Sequence, residues 1–466
     1  MKEKAKQKEI LRQIPSVDKI LNWPELNEYL QTIEHTHLTS IIRYKIDDFR
    51  QNLITGKKLN LHHLKQSIIQ EIGELINPYF CYAINAIGIV LHTGLGRAPF
   101  SQGIDDIVYI VSKGYSRLQI DEQGRRADRY KKINQLLQIL TGAEAGFFVN
   151  NNAAATLLIL NTIAKGKEVI VSRGQLIEIG GSFRIPEIMA QSGAIMREVG
   201  TTNRTHLRDY EGAINDETAA LLRVHQSNYR ISGFTKEVPL HELVELGKKY
   251  KIPVIDDLGS GALIDFSKYG LPKEPMVQES IETGADVVCF SGDKLIAGPQ
   301  SGIIVGKKEY IEKMKKNPLT RALRCDKLTN AVLEATLQLL LMKEEILMKK
   351  HGVFNILLKP LVDIKTQAKK CAHMLHKYST KMDISVKEAV SEIGGGSLST
   401  EQLPTFVVAL KPKTMKVDDL ARSLRQYHIP IFGRVSEDTL LLDFRTVLKN
   451  EEKIIAEAFD EILKNK

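Results

Sequence analysis

The spacing of apolar residues changes character along the chain. Up to about residue 76 they recur at helical intervals. Ile10 and Ile14 precede Pro15, which ends a first helix. Ile42, Ile46, Phe49 and Leu53 mark a second, with Thr39 as its predicted cap and Gly56 as its stop; Leu61, Leu64, Ile68, Ile72 and Leu75 stripe a third, before Asn77-Pro78 breaks the pattern. From Cys81 to about Gly306, short apolar runs alternate with helical stretches: VIVS at 169, LLRV at 221, PVID at 253 and DVVCF at 286. Near-continuous apolar strands between helices predict a mostly parallel sheet covered on both faces. A long helix follows, with Asn317 as cap and Pro318 at its first position. Beyond about 385 come a strand, a GGGS loop (394–397), a strand at Thr405–Leu410, a helix, a strand pair turning at Ser436–Asp438, and an amphipathic helix ending at Lys464. A chain of 466 residues exceeds one core. The expected division is a helical domain (1–76), an α/β domain (77–325), and a long helix with an α+β domain (326–466).

In such sheets ligands sit beyond the carboxyl ends of the strands. After Phe147–Val149 comes NNNAAAT (150–156), a polar turn running into a helix of small residues. Asn151, Asn152 and Ala153 there offer unpaired N–H groups and the positive end of a helix dipole, which suit a phosphate, although asparagines are also ordinary caps. After Leu221–Val224 comes His225, where an imidazole can stack on a planar ring; a lone histidine at a strand end is more often structural. After Pro253–Ile255 comes DDLGSG. One carboxylate of that pair can hold a pyridine nitrogen protonated and make the ring an electron sink. Asp256 takes that role here, with the choice between Asp256 and Asp257 left open.

After Val287–Phe290 come Ser291, Gly292, Asp293 and Lys294, with further glycines at 298 and 302. A lysine just past a buried strand is desolvated, which lowers its pKa and suits Schiff-base chemistry with a carbonyl. Pyridoxal phosphate (PLP) is the carbonyl cofactor most often held this way. Each signal is weak alone. Together, and in this order, they match PLP enzymes of the aspartate aminotransferase fold, fold type I. Competing motifs fare worse: there is no Walker loop, and Gly94-Leu95-Gly96 meets Pro99 where a dinucleotide loop needs its third glycine. Arg321 and Arg324, three apart near the start of the predicted long helix, share a face and suit an oxyanion, as does Arg97 in HTGLGRAPF. Pattern alone reads all three as surface arginines.

Composition narrows the class. With 43% apolar and 26% charged residues the chain is globular. No apolar stretch reaches the ~20 residues of a membrane helix, and MKEKAKQKEI lacks a signal peptide's apolar core. Cysteines at 81, 289, 325 and 371 have no paired spacing. A reduced, cytoplasmic protein without structural metal is expected. Residues 307–381 hold seventeen Lys and Arg against seven Asp and Glu, an excess of ten that exceeds the chain's net +9. Such a surface attracts polyanions, or is a solvated helix face.

INAIGIVLHTGLGRAPF, LTGAEAGFFVNNNAAAT, RGQLIEIGGSFRIPEIMAQSGA, EVGTTNRTHLRDYEGAI, HQSNYRISGF, DDLGSG, SGDKLIAGPQSG, TRALRCDKLT and IPIFGRVSEDTLLLDFRT resemble bacterial selenocysteine synthase, the L-seryl-tRNA(Sec) selenium transferase family. LRQIPSVDKIL is similar to that family's opening segment, so the resemblance covers nearly the whole chain. It implies that Lys294 carries PLP and, once freed, removes the α-proton of serine attached to tRNA(Sec). The β-hydroxyl then leaves, assisted by Asp293, and the aminoacrylyl group accepts selenium from selenophosphate. It implies that Arg97, Arg321 and Arg324 grip the donor's oxyanion and that the N-terminal domain recognises tRNA(Sec) by shape. It also implies a homodecamer built of dimers.

The chain departs from the family pattern at Gly94 (usually asparagine), at Ile87 (usually threonine), at Cys325 (usually aliphatic), and in YSRLQIDEQGRRADRY, about one residue short. The N-terminal domain is not basic: residues 1–76 hold twelve basic against ten acidic residues. A runner-up reading is a lyase of the same fold acting on a free small amino acid, which would not need residues 1–76. An RNA-binding protein on a retired PLP scaffold is disfavoured by Lys294 and the phosphate cradle.

Overall fold

The computed structural model describes residues 9–179, 183–226, 228–395 and 402–464. The chain forms two compact units, Met1–Tyr82 and Ala83–Lys466. In the first, helices His35–Ile54 and Leu61–Ile76 pack through Leu38, Ile42, Ile46, Phe49 and Leu53 against Leu64, Ile68 and Ile72. The helix starts at His35, so Thr39 lies inside it and is not its cap. Gly56, at φ +93°, lies just beyond its C-cap Thr55. Asn60 caps the next helix: its Oδ1 accepts from His63 N at 3.1 Å, and His63 Nδ1 accepts from Asn60 N at 3.2 Å. His63 is thus a capping residue.

The second unit holds strands β1 (Ile84–Ala86), β2 (Ala145–Val149), β3 (Glu168–Ser172), β4 (Glu178–Ile179), β5 (Phe183–Arg184), β6 (Ile195–Val199), β7 (Thr218–Val224), β8 (Val254–Gly259), β9 (Val287–Ser291), β10 (Gly302–Gly306), β11 (Met382–Glu392), β12 (Gln402–Pro412), β13 (Ile431–Ser436) and β14 (Thr439–Asp443). A seven-stranded sheet has the order β2-β10-β9-β8-β7-β3-β6 and is parallel except for β10, which is antiparallel to both neighbours. Its central strands are apolar and buried on both faces, as their unbroken Val/Ile/Leu runs require. A five-stranded sheet has the order β1-β13-β14-β12-β11, with β1 parallel to β13 and the rest antiparallel.

Three expectations change. Residues 84–86 belong to the C-terminal sheet and not to the parallel one, pairing Ile84, Asn85 and Ala86 with Ile431, Phe432 and Gly433. The compact unit Ala83–Lys466 runs across 325/326, and Val90, Leu91 and Ala98 share an apolar cluster with Phe266, Leu295, Val353 and Phe354. The predicted long helix is broken into Leu319–Ala322 and Lys327–Leu340. Pro318, and not Asn317, is the N-cap of the first piece; Asn317 is the C-cap of the preceding helix Lys308–Lys316, and its Oδ1 accepts from Leu319 N at 2.9 Å. Asp326 caps the second through Leu328 N (2.6 Å) and Thr329 N (3.0 Å). Arg321 and Arg324 therefore do not share one helix face. Of the GGGS loop, residues 396–397 lie outside the described residues.

Candidate active site

The carboxyl ends of β2, β7, β8 and β9 bring the predicted residues together. Asn151 caps the helix Asn152–Ile163, its Oδ1 accepting from Ala154 N at 2.8 Å. The amides of Asn152 and Ala153, in the first turn, have no intrahelical acceptor. Gly302 lets β10 pass close beneath: a Cβ there would sit 2.1 Å from the Asn151 carbonyl oxygen.

The two aspartates of β8 point to opposite faces, as alternation along a strand demands. Asp256 pairs with Arg223 at 3.0 Å and accepts from Ser280 Oγ at 2.7 Å. Asp257 accepts from Asn152 Nδ2 at 2.8 Å and from Thr156 Oγ1 at 3.0 Å. Burial pushes the Asp257 carboxyl up, against these hydrogen bonds and the nearby charge of Lys294. Asp256 spends its charge on Arg223, whereas Asp257 lies close enough to Lys294 to feel its charge; of the pair the sequence left open, Asp257 is the one placed toward the lysine. Thr156 was missed. Its spacing of four from Asn152, on one helix face, was the available signal.

Lys294 is 4% exposed, and its Nζ has no hydrogen-bond or ion-pair partner among the described residues. Burial, then the Arg97 charge, lowers it to about 8. His225 donates its backbone N–H to the Asp257 carbonyl at 2.8 Å; its Nδ1 is buried without a partner, and burial lowers its pKa. Ser291 ends β9, backbone-paired with Gly302. Asp293 accepts from Arg97 Nη1 at 2.7 Å, and Arg97 adopts the left-handed conformation (φ 63°). Arg97 and Asp293 line a cavity of about 490 Å³ with Thr93, Phe100, Gly298 and Gln300. Neither Arg321 nor Arg324 lines it. Their turn is tied elsewhere, by Asn150 N donating to the Leu323 carbonyl at 3.0 Å, beside the helix cradle.

The residues present fit pyridoxal phosphate. A buried amine without acceptor, the unpartnered buried atoms Asn152 Oδ1 and His225 Nδ1, a buried carboxylate and a helix N-terminus converge at one sheet edge. Fold and site together define the class of fold type I pyridoxal phosphate enzymes.

Comparison with known proteins identifies the branch. Residues 83–448 match the family model described as L-seryl-tRNA selenium transferase, and residues 11–50 match selenocysteine synthase N terminal. The L-seryl-tRNA(Sec) selenium transferase of Alkaliphilus oremlandii is 46% identical over 464 residues, covering 97% of this chain and 99% of its own. That of Carboxydothermus hydrogenoformans is 46% identical over 446 residues, 95% of each. The chain belongs to the L-seryl-tRNA(Sec) selenium transferase family. Among solved structures, D-glucosaminate-6-phosphate ammonia-lyase shares the fold, with TM-score 0.56 and 19% identity over 85% of this chain and 98% of that one.

Proposed function

We propose that this chain converts L-seryl-tRNA(Sec) to L-selenocysteinyl-tRNA(Sec), replacing the serine hydroxyl with selenium from selenophosphate. The single observation that carries the reading is the unpartnered buried Lys294 facing Asp257, in a chain nearly half identical to such transferases from end to end. Pyridoxal phosphate, when bound, supplies an electron sink for the pair released as the α-proton departs. The remaining work falls to this chain's residues. Lys294 holds the cofactor and, being near neutral at about 8, takes the α-proton. Asp257, its carboxylate held by Asn152 and Thr156, would hold the cofactor's ring nitrogen. His225 would cover the ring, and the amides of Asn152 and Ala153 would bind the phosphate. Asp293 assists the departing hydroxyl, and Arg97, its partner at 2.7 Å, binds the donor's oxyanion in the adjoining cavity, with Arg321 and Arg324 adding positive charge for the same anion. The water lost with the β-hydroxyl is balanced by the water that splits the donor's P–Se bond, so phosphate is the net product besides the selenocysteinyl ester.

The N-terminal unit binds the tRNA in this reading, and copies of the chain assemble into a homodecamer built of dimers in the cytoplasm. No helix among the described residues is long and apolar enough to cross a membrane. The test is direct: PLP-loaded protein is incubated with tRNA(Sec) carrying labelled serine and with selenophosphate. Label is expected in selenocysteine released from the tRNA. Turnover of free serine, with the charged tRNA untouched, would instead establish the lyase reading.

A further inference from the structure

Two strained loops meet at the cavity of Arg97 and Asp293, and one buried joint stands behind both. Arg97 (φ 63°) and Ala297 (φ 55°) adopt the left-handed conformation although neither is glycine. Such residues persist only where their surroundings hold them. Arg97 belongs to the loop whose Pro99 and Phe100 wall the cavity. Ala297 closes the turn of the lysine loop, its N–H donating to the Lys294 carbonyl at 3.0 Å. The two loops are joined by Ala98 N, which donates to the Asp293 carbonyl at 3.4 Å.

The joint is His351–Gly352, between the helices Glu344–Lys350 and Gly352–Leu357. On the arginine side its contacts are made by backbone. Gln102 N donates to the Lys350 carbonyl at 2.9 Å, and Gly352 N donates to Ser101 Oγ at 3.2 Å. A Cβ at position 352 would collide with the Pro99 carbonyl oxygen and sit 3.0 Å from that of Phe100, so the cavity wall rests on the glycine. On the lysine side the contact is apolar: Leu295 and Ala297 pack with Val353 and Phe354 in the cluster that also takes Ala98. Between them, the carbonyl of buried Ile296 accepts from no backbone amide among the described residues. His351 itself is fully buried. Its Nδ1 accepts from Phe354 N at 3.2 Å and so caps its own helix, which leaves the ring proton on Nε2. That Nε2 is buried without a partner at hydrogen-bond distance. Burial lowers the imidazole to about 4, and the Ile296 backbone acts against that shift, so the ring is neutral with its N–H toward Ile296. A buried donor and a buried acceptor, each otherwise unused, thus lie together in the joint.

We propose that His351 is a positioning residue for selenium transfer: with Gly352 and Ser101 it holds the arginine loop and the lysine loop in register and so sets the width of the donor cavity. The proposal rests on the function given above. A donor anion held by Arg97 must reach the seryl β-carbon beside Lys294, so the spacing of the two loops fixes the distance over which selenium is delivered. His351 touches neither substrate and acts through the loops it supports.

The test uses the PLP-loaded full chain. His351→Asn keeps an acceptor where Nδ1 caps the helix but has nothing at the place of Nε2. His351→Gln restores a donor there and gives up the cap, and Ser101→Ala leaves Gly352 N without its acceptor. His351→Asn should melt close to wild type yet exchange the amide hydrogens of residues 292–298 about fivefold faster, the size of one hydrogen bond. Its KM for selenophosphate should rise by a similar factor. His351→Gln should recover both readings while melting at a lower temperature. Ser101→Ala should speed exchange in residues 96–102 and raise the donor KM. In all three variants the KM for seryl-tRNA and the PLP content should stay as in wild type. Two results overturn the proposal: wild-type exchange and donor KM in both His351→Asn and Ser101→Ala, or a rise in both substrates' KM together with loss of PLP, which marks a role in folding alone. Wild-type protein inactive on seryl-tRNA would sink the underlying function instead, and the exchange rates would still test the brace.

Discussion

Two lysines sit in different regions of the second unit with nearly the same acidity. Lys294, after β9, and Lys359, just before the helix Leu361–Leu375, are both lowered to about 8, each chiefly by burial and then by a neighbouring arginine. Their hydrogen bonding differs completely. Lys359 Nζ donates to Gln367 Oε1 (2.7 Å), the Phe444 carbonyl (2.7 Å) and the Val447 carbonyl (3.0 Å), filling all three of its donor positions. Lys294 Nζ has none of these. The carboxylates repeat the contrast. Asp443 is buried among Ser391 Oγ, Thr405 Oγ1 and Arg445 N, while Asp257 is supported on one side and faces an amine that awaits a partner. A depressed pKa therefore does not by itself mark chemistry in this chain. A depressed pKa on a group the protein leaves unsatisfied does.

The sharpest way to break this comparison is to remove each lysine. Lys294→Ala should cut transferase activity by roughly a thousandfold or more while leaving thermal stability close to wild type, because no hydrogen bond is lost. Lys359→Met should do the reverse, costing about 1–3 kcal/mol by leaving buried acceptors unpaired, with PLP content and kcat retained. Activity assays and thermal melts on both variants decide it; a Lys359→Met enzyme that is stable but inactive would erase the distinction. The adjacent aspartates come next. Asp257→Asn should lower kcat by about a hundredfold or more at nearly normal stability, as expected of a group acting on the reacting system. Asp256→Asn strands Arg223 and should cost about 3 kcal/mol of stability at near-normal kcat. The smallest effect concerns pH. The reactive neutral form of Lys294 becomes populated as pH rises through about 8 rather than through the ordinary lysine value near 10.5. Reloading of apoprotein with PLP should therefore accelerate about tenfold per pH unit up to roughly 8 and then level off. A rate still climbing at pH 10 would mean that the amine is not depressed.

Much of the site was legible because strand ends are legible. Largely apolar runs stop at Val149, Val224 and Phe290, and the polar residues beyond them are those the structure gathers. The choice between Asp256 and Asp257 was not. Alternation says that they face opposite ways, but both faces of this sheet are covered, so periodicity names no ligand face. The assignment needed Arg223 on β7 and Asn152 on the far helix, both remote in sequence. The break at Leu323–Cys325 was hidden for a similar reason: the local residues favour a helix, and the anchoring of Leu323 by Asn150 is tertiary. The partner of β1 could not be read at all, since three residues carry too little pattern to announce a mate at the other end of the chain.

That last pairing orders events on the ribosome. Ile84–Ala86 emerges early, but its hydrogen-bonding mate Ile431–Gly433 is made about 345 residues later, roughly tens of seconds at ordinary elongation rates. Throughout synthesis the nascent chain carries an unmatched edge just downstream of its helical N-terminal unit. The small sheet closes only when almost the whole polypeptide exists, so a product released before residue 431 keeps that edge open and exposed to aggregation.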